Sequence, residues 1–543
     1  MDEREKAHHQ KGFLNWVERT GNRLPDPVFI FVYLIIALIL FSVVAALMGL
    51  SAIHPTAVSE DGDPLVIRSA SLLAPHNIER LWTEMPATFT HFHPLGYVLV
   101  VMLGAGVAER SGLFASAIRA AVRNAPKFLL TPLVALVAML SNHAADAGYV
   151  VMIPLAAILF ASAGRHPLAG IAAAFAGVSG GFSANIAPGQ LDALLFGITE
   201  TAYQASSIDA GWVVNIAGNT YFIIALLMLY LPIIWLVTDK VIEPRLGPWK
   251  PDAATAEAYG DEDAPLTEGQ SRGLIYAGLA LLAVCALWAF MTIGPGTPLY
   301  ITDAEFAAAG MSPAAIAEQE WYDRLSPFFR SLVAAFLVLF LAAGWAYGAA
   351  AGTIKNHKDL VAMMTEAMKD MGYYLVLAFA AAHFVAMFGW SNLGLITAVH
   401  GADAIQHSGL PLPVVLGLII LFAALLNLFV GSASAKWALL APVLVPMLML
   451  LGISPEGATA AYRVGDGATN IITPLMVYFP LILIFAQRWQ KDFGLGSLTA
   501  MMIPYSLWLL ISGVILMMVW IFLGIPLGPG APVDFTVPEI ATG

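Results

Sequence analysis

Charge is what this sequence has least of. Of 543 residues, 25 are Lys or Arg and 37 are Asp or Glu, 11% together, against about 25% in a soluble domain. That scarcity excludes a soluble globular enzyme and a disordered chain. The net charge of −12 leaves no basic surface for a phosphate backbone, so nucleic acid is not a partner. Cysteine is almost absent. Cys285 stands alone, so no intrachain disulfide can form; inside an apolar run, it reads as helix packing. Metal-ligand clusters are also missing. His91 and His93 form one His-x-His in a loop, too little for a metal centre. Gly177 to Gly181 is not a phosphate loop, since no Lys-Ser or Lys-Thr follows and no strand precedes it. Nothing in the chain supports ATP-driven pumping.

What is present is apolar. Hydrophobic residues make up 59% of the chain, in recurring runs of about twenty residues, the length that spans a bilayer as a helix. The runs are continuous, whereas the strands of a membrane barrel alternate with period two. The polar first 26 residues precede a long run at 27–50, which reads as a retained first helix rather than a cleaved leader.

Lys and Arg set the topology. They cluster in 1–26, 109–127, 239–272, 351–371 and 487–492, all expected in the cytoplasm. They are sparse in 51–93, 294–328, 391–411 and 524–543, expected outside. The acidic stretch 251–268 reads as a solvated part of the cytoplasmic linker 239–272. Parity then requires a re-entrant hairpin in each half, at about 128–163 and 413–450. The result is an all-α polytopic membrane protein with about nine crossings and two hairpins. Its membrane domain covers 27–523, between a cytoplasmic N-terminal segment (1–26) and an external tail (524–543).

The halves repeat. Pro154, Pro167 and Pro188 are spaced 13 and 21 apart; Pro442, Pro455 and Pro474 are spaced 13 and 19 apart. Each trio brackets a polar hairpin tip (141–146 and 432–437) and a glycine-rich break (177–185 and 465–470). The units 128–203 and 413–487 are each a hairpin followed by a broken helix. Entering from opposite faces, they form an inverted repeat, the architecture of secondary transporters, with the site where the breaks meet.

Two runs are diagnostic: Asn427-Leu428-Phe429-Val430-Gly431-Ser432-Ala433-Ser434-Ala435-Lys436-Trp437 and Ala461-Tyr462-Arg463-Val464-Gly465-Asp466-Gly467-Ala468-Thr469-Asn470. With Gly180 to Asn185 and Phe388 to Gly394, the chain resembles the aminobenzoyl-glutamate transporter (AbgT) family over nearly its whole length. The resemblance implies a bowl-shaped homodimer in the bacterial inner membrane. It implies transport of p-aminobenzoyl-glutamate, related folate catabolites or sulfonamide antimetabolites, coupled to protons or sodium. The transport residues it implies are Asp192, Asn427, Ser434, Trp437, Pro455, Arg463, Asp466 and Pro474.

The residues themselves suit those roles. Asp466, in a glycine-flanked break, is costly in a membrane unless paired or functional; its nearest candidate partner is Arg463, three residues earlier. Arg463 can grip a substrate carboxylate with two hydrogen bonds. Asp192 follows the first break and otherwise reads as a hydrated helix-end carboxylate. Trp437 beside a hairpin tip can stack on an aminobenzoyl ring. Ser183, Asn185, Ser432, Asn470 and Thr473 offer neutral oxygens for a bound sodium ion; no other cofactor is expected. Pro167 and Pro455 are candidate hinges. His143 and Asp146 at the first tip can titrate or hold the tip together. The alternatives are an ion-coupled dicarboxylate or organic-anion carrier, a channel, or an intramembrane enzyme using His143 and Asp146. The enzyme reading finds no His-Glu-x-x-His to support it.

Overall fold

A computed structural model describes residues 26–538 except 59–62, 123–125, 145–147, 207, 209–211, 213, 250–265, 295 and 477. The N-terminal segment, most of the acidic linker and Asp146 lie outside the described residues. The described residues are mostly helical. Seven described helices are long and apolar enough to cross a membrane. An eighth is gained if the pair His93–Arg110 and Leu113–Ala121, bent by 64°, counts as one span.

The first, α1 (Pro27–Met48), shows how the ends are set. Asp26 caps it by accepting the Val28 N–H at 2.8 Å, Pro27 takes the first position, and Gly49 stops it at φ +67°. Its 22 residues rise about 33 Å, enough for the hydrocarbon core. Phe29, Leu40 and Leu47 point outward, as side chains facing lipid do.

After α1 the chain forms an antiparallel pair, β1 (Ser51–Val58) and β2 (Pro64–Arg68), in the register Ser51 opposite Arg68. The expectation of a plain loop over 51–93 is thereby corrected. Then come α2 (His93–Arg110) and α3 (Leu113–Val122).

The first repeat unit is α4 (Leu130–Leu140), α5 (Ile153–Ser162), α6 (Pro167–Phe175) and α7 (Gln190–Ser206). α4 and α5 form the hairpin. α6 ends in a wide π-helical turn over Ala176–Gly180, and the chain opens until α7 starts. A long helix, α8 (Thr220–Leu246), follows. Next are α9 (Glu268–Thr292), α10 (Ser326–Ala351), the polar α11 (His357–Asp370), α12 (Gly372–Trp390) and α13 (Leu393–Ser408). The second unit is α14 (Leu412–Asn427), α15 (Ala433–Leu450), α16 (Pro455–Asn470) and α17 (Phe479–Trp489). α18 (Leu495–Phe522) closes the membrane domain.

Three expectations are corrected. Residues 391–411 are not an open loop: Asn392, at φ +59°, bends α12 into α13. Cys285 is exposed on α9 rather than buried between helices of the described chain. The second break lies later than the glycines suggest, because α16 stays wound through Asn470 and the chain opens at 471–476. The glycines serve packing instead. A Cβ on Gly465 would strike the Ile420 carbonyl of α14, and one on Gly467 would lie 3.2 Å from the Gly180 carbonyl of the first break. α16 is thereby wedged between its own hairpin and the opposite repeat.

α8 relates the two return turns. At its C-terminal end Arg165, in the first return turn, is held by Glu243, by Asp239 at 2.6 Å and by Thr131 at 2.7 Å. At its N-terminal end the Tyr221 and Phe222 N–H groups donate to Leu527, in the C-terminal segment. That segment fastens the second return turn: Ser454 N–H donates to Val533 O and Phe535 N–H to Gly452 O, both at 2.8 Å. The turns at Gly164 and Gly452, both at positive φ, are thus tied to opposite ends of a helix about 40 Å long.

Candidate functional site

The site is built where α7 of the first unit meets α15 and α16 of the second. Asp192 sits in the first turn of α7. One carboxylate oxygen accepts the Gly189 N–H at 2.8 Å, capping the helix after the break. The other lies 2.8 Å from Arg463 Nη1 on α16. Both side chains are buried, so Asp192 is no hydrated helix end. It is half of an ion pair joining the two repeats.

Asp466 therefore does not pair with Arg463, although the two are three residues apart. Its partner is Lys436 of α15, whose ammonium also contacts Asn427 Oδ1. The Asn427 amide nitrogen faces the Asp466 carbonyl at 2.7 Å, Thr469 Oγ1 at 2.9 Å and Asn470 Oδ1 at 2.9 Å. Tyr462 O–H donates to the Ala433 carbonyl at 2.6 Å and lies 3.4 Å from Asp466 Oδ1. The hairpin tip is thus locked onto α16 by a buried polar network, as low-dielectric surroundings require of polar groups there. Lys436 is the member that sequence reasoning passed over. The signal was present: an ammonium inside an apolar hairpin arm needs an anionic partner at membrane depth.

Trp437 is fully buried. Its ring stacks on Tyr462, centroids 4.6 Å apart, and its indole N–H donates to Thr199 Oγ1 at 2.9 Å. Thr199 and Thr459 hydroxyls meet at 2.7 Å across α7 and α16. The expectation that Trp437 offers an open face to an aromatic ligand is corrected: that face is used by Tyr462.

The neutral oxygens are dispersed among local partners. Ser183 O–H donates to the Arg463 carbonyl at 3.0 Å, Asn185 Oδ1 accepts the Ile186 N–H, and Ser432 Oγ accepts the Ala435 N–H. Ser434 is 3.2 Å from Ser432; Thr473 Oγ1 accepts the Leu475 N–H in the second break. Pro455 opens α16 and Pro474 lies in the break beyond it. His143 reaches from the first tip to the Ala187 and Pro188 carbonyls, at 3.1 and 3.3 Å. Among the described residues no three His, Cys, Asp or Glu side chains gather as a metal site.

Between the two hairpin tips lies a cavity of about 390 Å³. Its lining includes Tyr149, Phe182, Gln190, Tyr374, Asn470 and Tyr478. Tyr149 of the first unit and Tyr478 of the second stack on each other in its wall, 4.4 Å apart and 11° from parallel. The size and the aromatic wall with few amides suit a small organic ligand. Neither tyrosine stands out in the sequence, where each is flanked by apolar residues.

The model of the "AbgT putative transporter family" matches residues 12–535. The chain belongs to the AbgT family. It is 36% identical over 521 residues to the p-aminobenzoyl-glutamate transport protein of Escherichia coli (strain K12), covering 95% of this chain and 96% of that one. Two solved structures superpose on it. The YdaH transporter of Alcanivorax borkumensis, with its unusual topology, gives a TM-score of 0.83 at 42% identity over 93% of this chain and 100% of that chain. Neisseria gonorrhoeae MtrF, which illuminates a class of antimetabolite efflux pumps, gives 0.85 at 41% identity over 96% and 100%. This AbgT protein is accordingly a multi-pass membrane transporter and not an enzyme. Residues 177–181 also spell Gly-x-Ser-x-Gly, a pattern shared with hydrolase nucleophile elbows. Here the pattern follows a helix rather than a strand, and buried Ser179 faces Met476 Sδ at 3.5 Å.

Proposed function

We propose that this AbgT transporter is a secondary active carrier of p-aminobenzoyl-glutamate, related folate catabolites or sulfonamide antimetabolites. It works in the bacterial inner membrane as a homodimer of nine-crossing subunits with a cytoplasmic N-terminus, driven by a proton or sodium gradient. One observation carries the substrate class: the cavity between the repeat units is walled by Tyr149 and Phe182 of the first, Tyr478 of the second and Tyr374 of α12. An aminobenzoyl ring fits that wall by stacking. Asn142, Gln190 and Asn470 line the same cavity, offering amide hydrogen bonds to the ring amine and amide. Gln190 Nε2 has no partner among the described residues and serves as a donor to the substrate. Arg463 lies on α16, one element away, and receives a glutamate carboxylate when the Asp192 pair opens.

The cycle follows from the packing. The two hairpins and broken helices move as one unit, with α9 and α10 in the stationary frame. Breaking the Arg463–Asp192 pair without compensation is costly in a buried setting, so a substrate carboxylate that replaces Asp192 lowers the cost of rearranging the two repeats. Asp466 and Lys436 keep the second tip shaped throughout. Uptake of labelled p-aminobenzoyl-glutamate into proteoliposomes, under imposed Na⁺ and H⁺ gradients, tests the substrate and the coupling ion together.

A further inference from the structure

We propose that Glu456, Asn215 and Asn219 form a binding site for one small monovalent cation, sodium by its chemistry, beneath the C-terminal segment. Five Lys, Arg, Asp or Glu side chains are buried among the described residues: Asp192, Lys436, Glu456, Arg463 and Asp466. Three are carboxylates and two are cations. Asp192 takes Arg463 and Asp466 takes Lys436. Glu456, 3% exposed, is left with no cationic side chain. Trp212 Nε1–H donates to its Oε2 at 3.3 Å, while Oε1 has no hydrogen-bond partner among the described residues.

Two further acceptors beside it are also unserved. The Oδ1 atoms of Asn215 and Asn219 have no partner among the described residues. The Asn215 amide cannot simply be turned over, because its nitrogen donates to the Pro529 carbonyl at 2.8 Å. Glu456, Asn215 and Asn219 line one cavity of about 20 Å³, room for a single water-sized occupant. A carboxylate with two amide oxygens is a hard donor set, and among the described residues no cationic side chain is paired with this carboxylate. A proton on Glu456 would serve one amide oxygen and leave the second to a water in the same cavity; a cation serves all three oxygens directly, and the sodium-binding measurement below separates the two. These oxygens are distinct from those of the hairpin tips.

The place is suited to coupling. Glu456, Thr459 and Arg463 follow one face of α16, spaced three and four residues apart, and Glu456 and Arg463 are about 10 Å apart along the axis. Asp192 and Arg463 line the same cavity. Occupancy at Glu456 therefore acts on the surroundings of the pair that joins the repeats. That the bound ion is the coupling ion rests on the transporter function proposed above; that it binds does not.

The test is equilibrium binding of radioactive sodium to the purified full-length protein in choline buffer, with thermal unfolding in NaCl and choline chloride alongside. The wild type binds sodium saturably and melts higher in NaCl. Glu456→Gln loses about tenfold or more in sodium affinity, the scale expected for removing an ionic ligand, and its melting temperature no longer responds to sodium. Asn219→Ala shows a smaller loss in the same direction. Its side chain makes no cap hydrogen bond to α8, so it serves if the Glu456 variant cannot be purified. A wild type that binds no sodium, or variants that bind it with unchanged affinity, would overturn the site. Uptake of p-aminobenzoyl-glutamate by the wild type is measured separately. Sodium binding through Glu456 without that uptake would refute only the proposed substrate, and uptake with Glu456-independent binding would refute only this site.

Discussion

Arg463 reaches across the repeat interface to Asp192, 271 residues away in sequence, rather than along its own helix to Asp466. The two buried acids of the centre are therefore not alternatives for one arginine. Each has its own cation, and each pair does different work: Asp192–Arg463 links the repeats, and Lys436–Asp466 holds a tip.

The first expectation concerns the linking pair. Asp192→Asn and Arg463→Gln each leave one buried charge uncompensated and lower stability by about 3–5 kcal/mol. The double variant recovers most of the stability, because no buried charge is stranded, yet still fails to transport. A double-mutant cycle read both by thermal unfolding and by uptake checks this. Recovery of uptake along with stability would reduce the pair to scaffold.

For the tip pair the expectation is different. Lys436→Met with Asp466→Asn restores folding relative to either single change, since both charges leave together. Lys436→Arg does not rescue, because the fully buried ammonium site has no room for a planar guanidinium. Thermal stability in detergent decides; an Arg variant as stable as the wild type would contradict the tight packing described here.

The stacked tyrosines set a third expectation. Tyr478→Ala or Tyr149→Ala removes one ring of the cavity wall, worth about 0.5–1.5 kcal/mol beyond area. The Michaelis constant for an aromatic substrate should rise several-fold, while Tyr→Phe at either position costs less. Equal losses for Ala and Phe would point to the hydroxyl rather than the ring.

Topology gives the fourth. Ser162 is exposed beside the first return turn and Asp534 is exposed beside the second, where it bridges to Ile453. In a Cys285→Ser background, Ser162→Cys should react with an impermeant maleimide from the cytoplasmic face and Asp534→Cys from the outside. Reaction of both from one face would remove the inverted repeat.

Much of this architecture was legible in the sequence because it depends on local chemistry. Pro167 and Pro455 sit at the first position of α6 and α16, where proline lacks nothing the helix needs. Gly164 and Gly452 take the positive φ of the return turns. The partners of the buried charges were not legible. Spacing favours Arg463–Asp466, and only the tertiary approach of α7 and α15 to α16 overrides it. Gly465 and Gly467 looked like a break for the same reason: close packing against Ile420 and Gly180 is invisible until the helices are placed. Glu456 was missed because a carboxylate in a first helical turn is ordinary in water; burial makes it unusual. The pair β1–β2 escaped notice as a short stretch in a loop otherwise marked by Pro and Asp.

The most direct measurement of the central claim is concentrative uptake of labelled p-aminobenzoyl-glutamate into proteoliposomes carrying the full-length protein and an imposed ion gradient. The expected result is accumulation above the external concentration, abolished by collapsing the gradient and by Arg463→Gln with Asp192→Asn. Simple equilibration of the label, or uphill uptake undiminished in that double variant, would contradict a coupled carrier that works through the pair joining its two repeats.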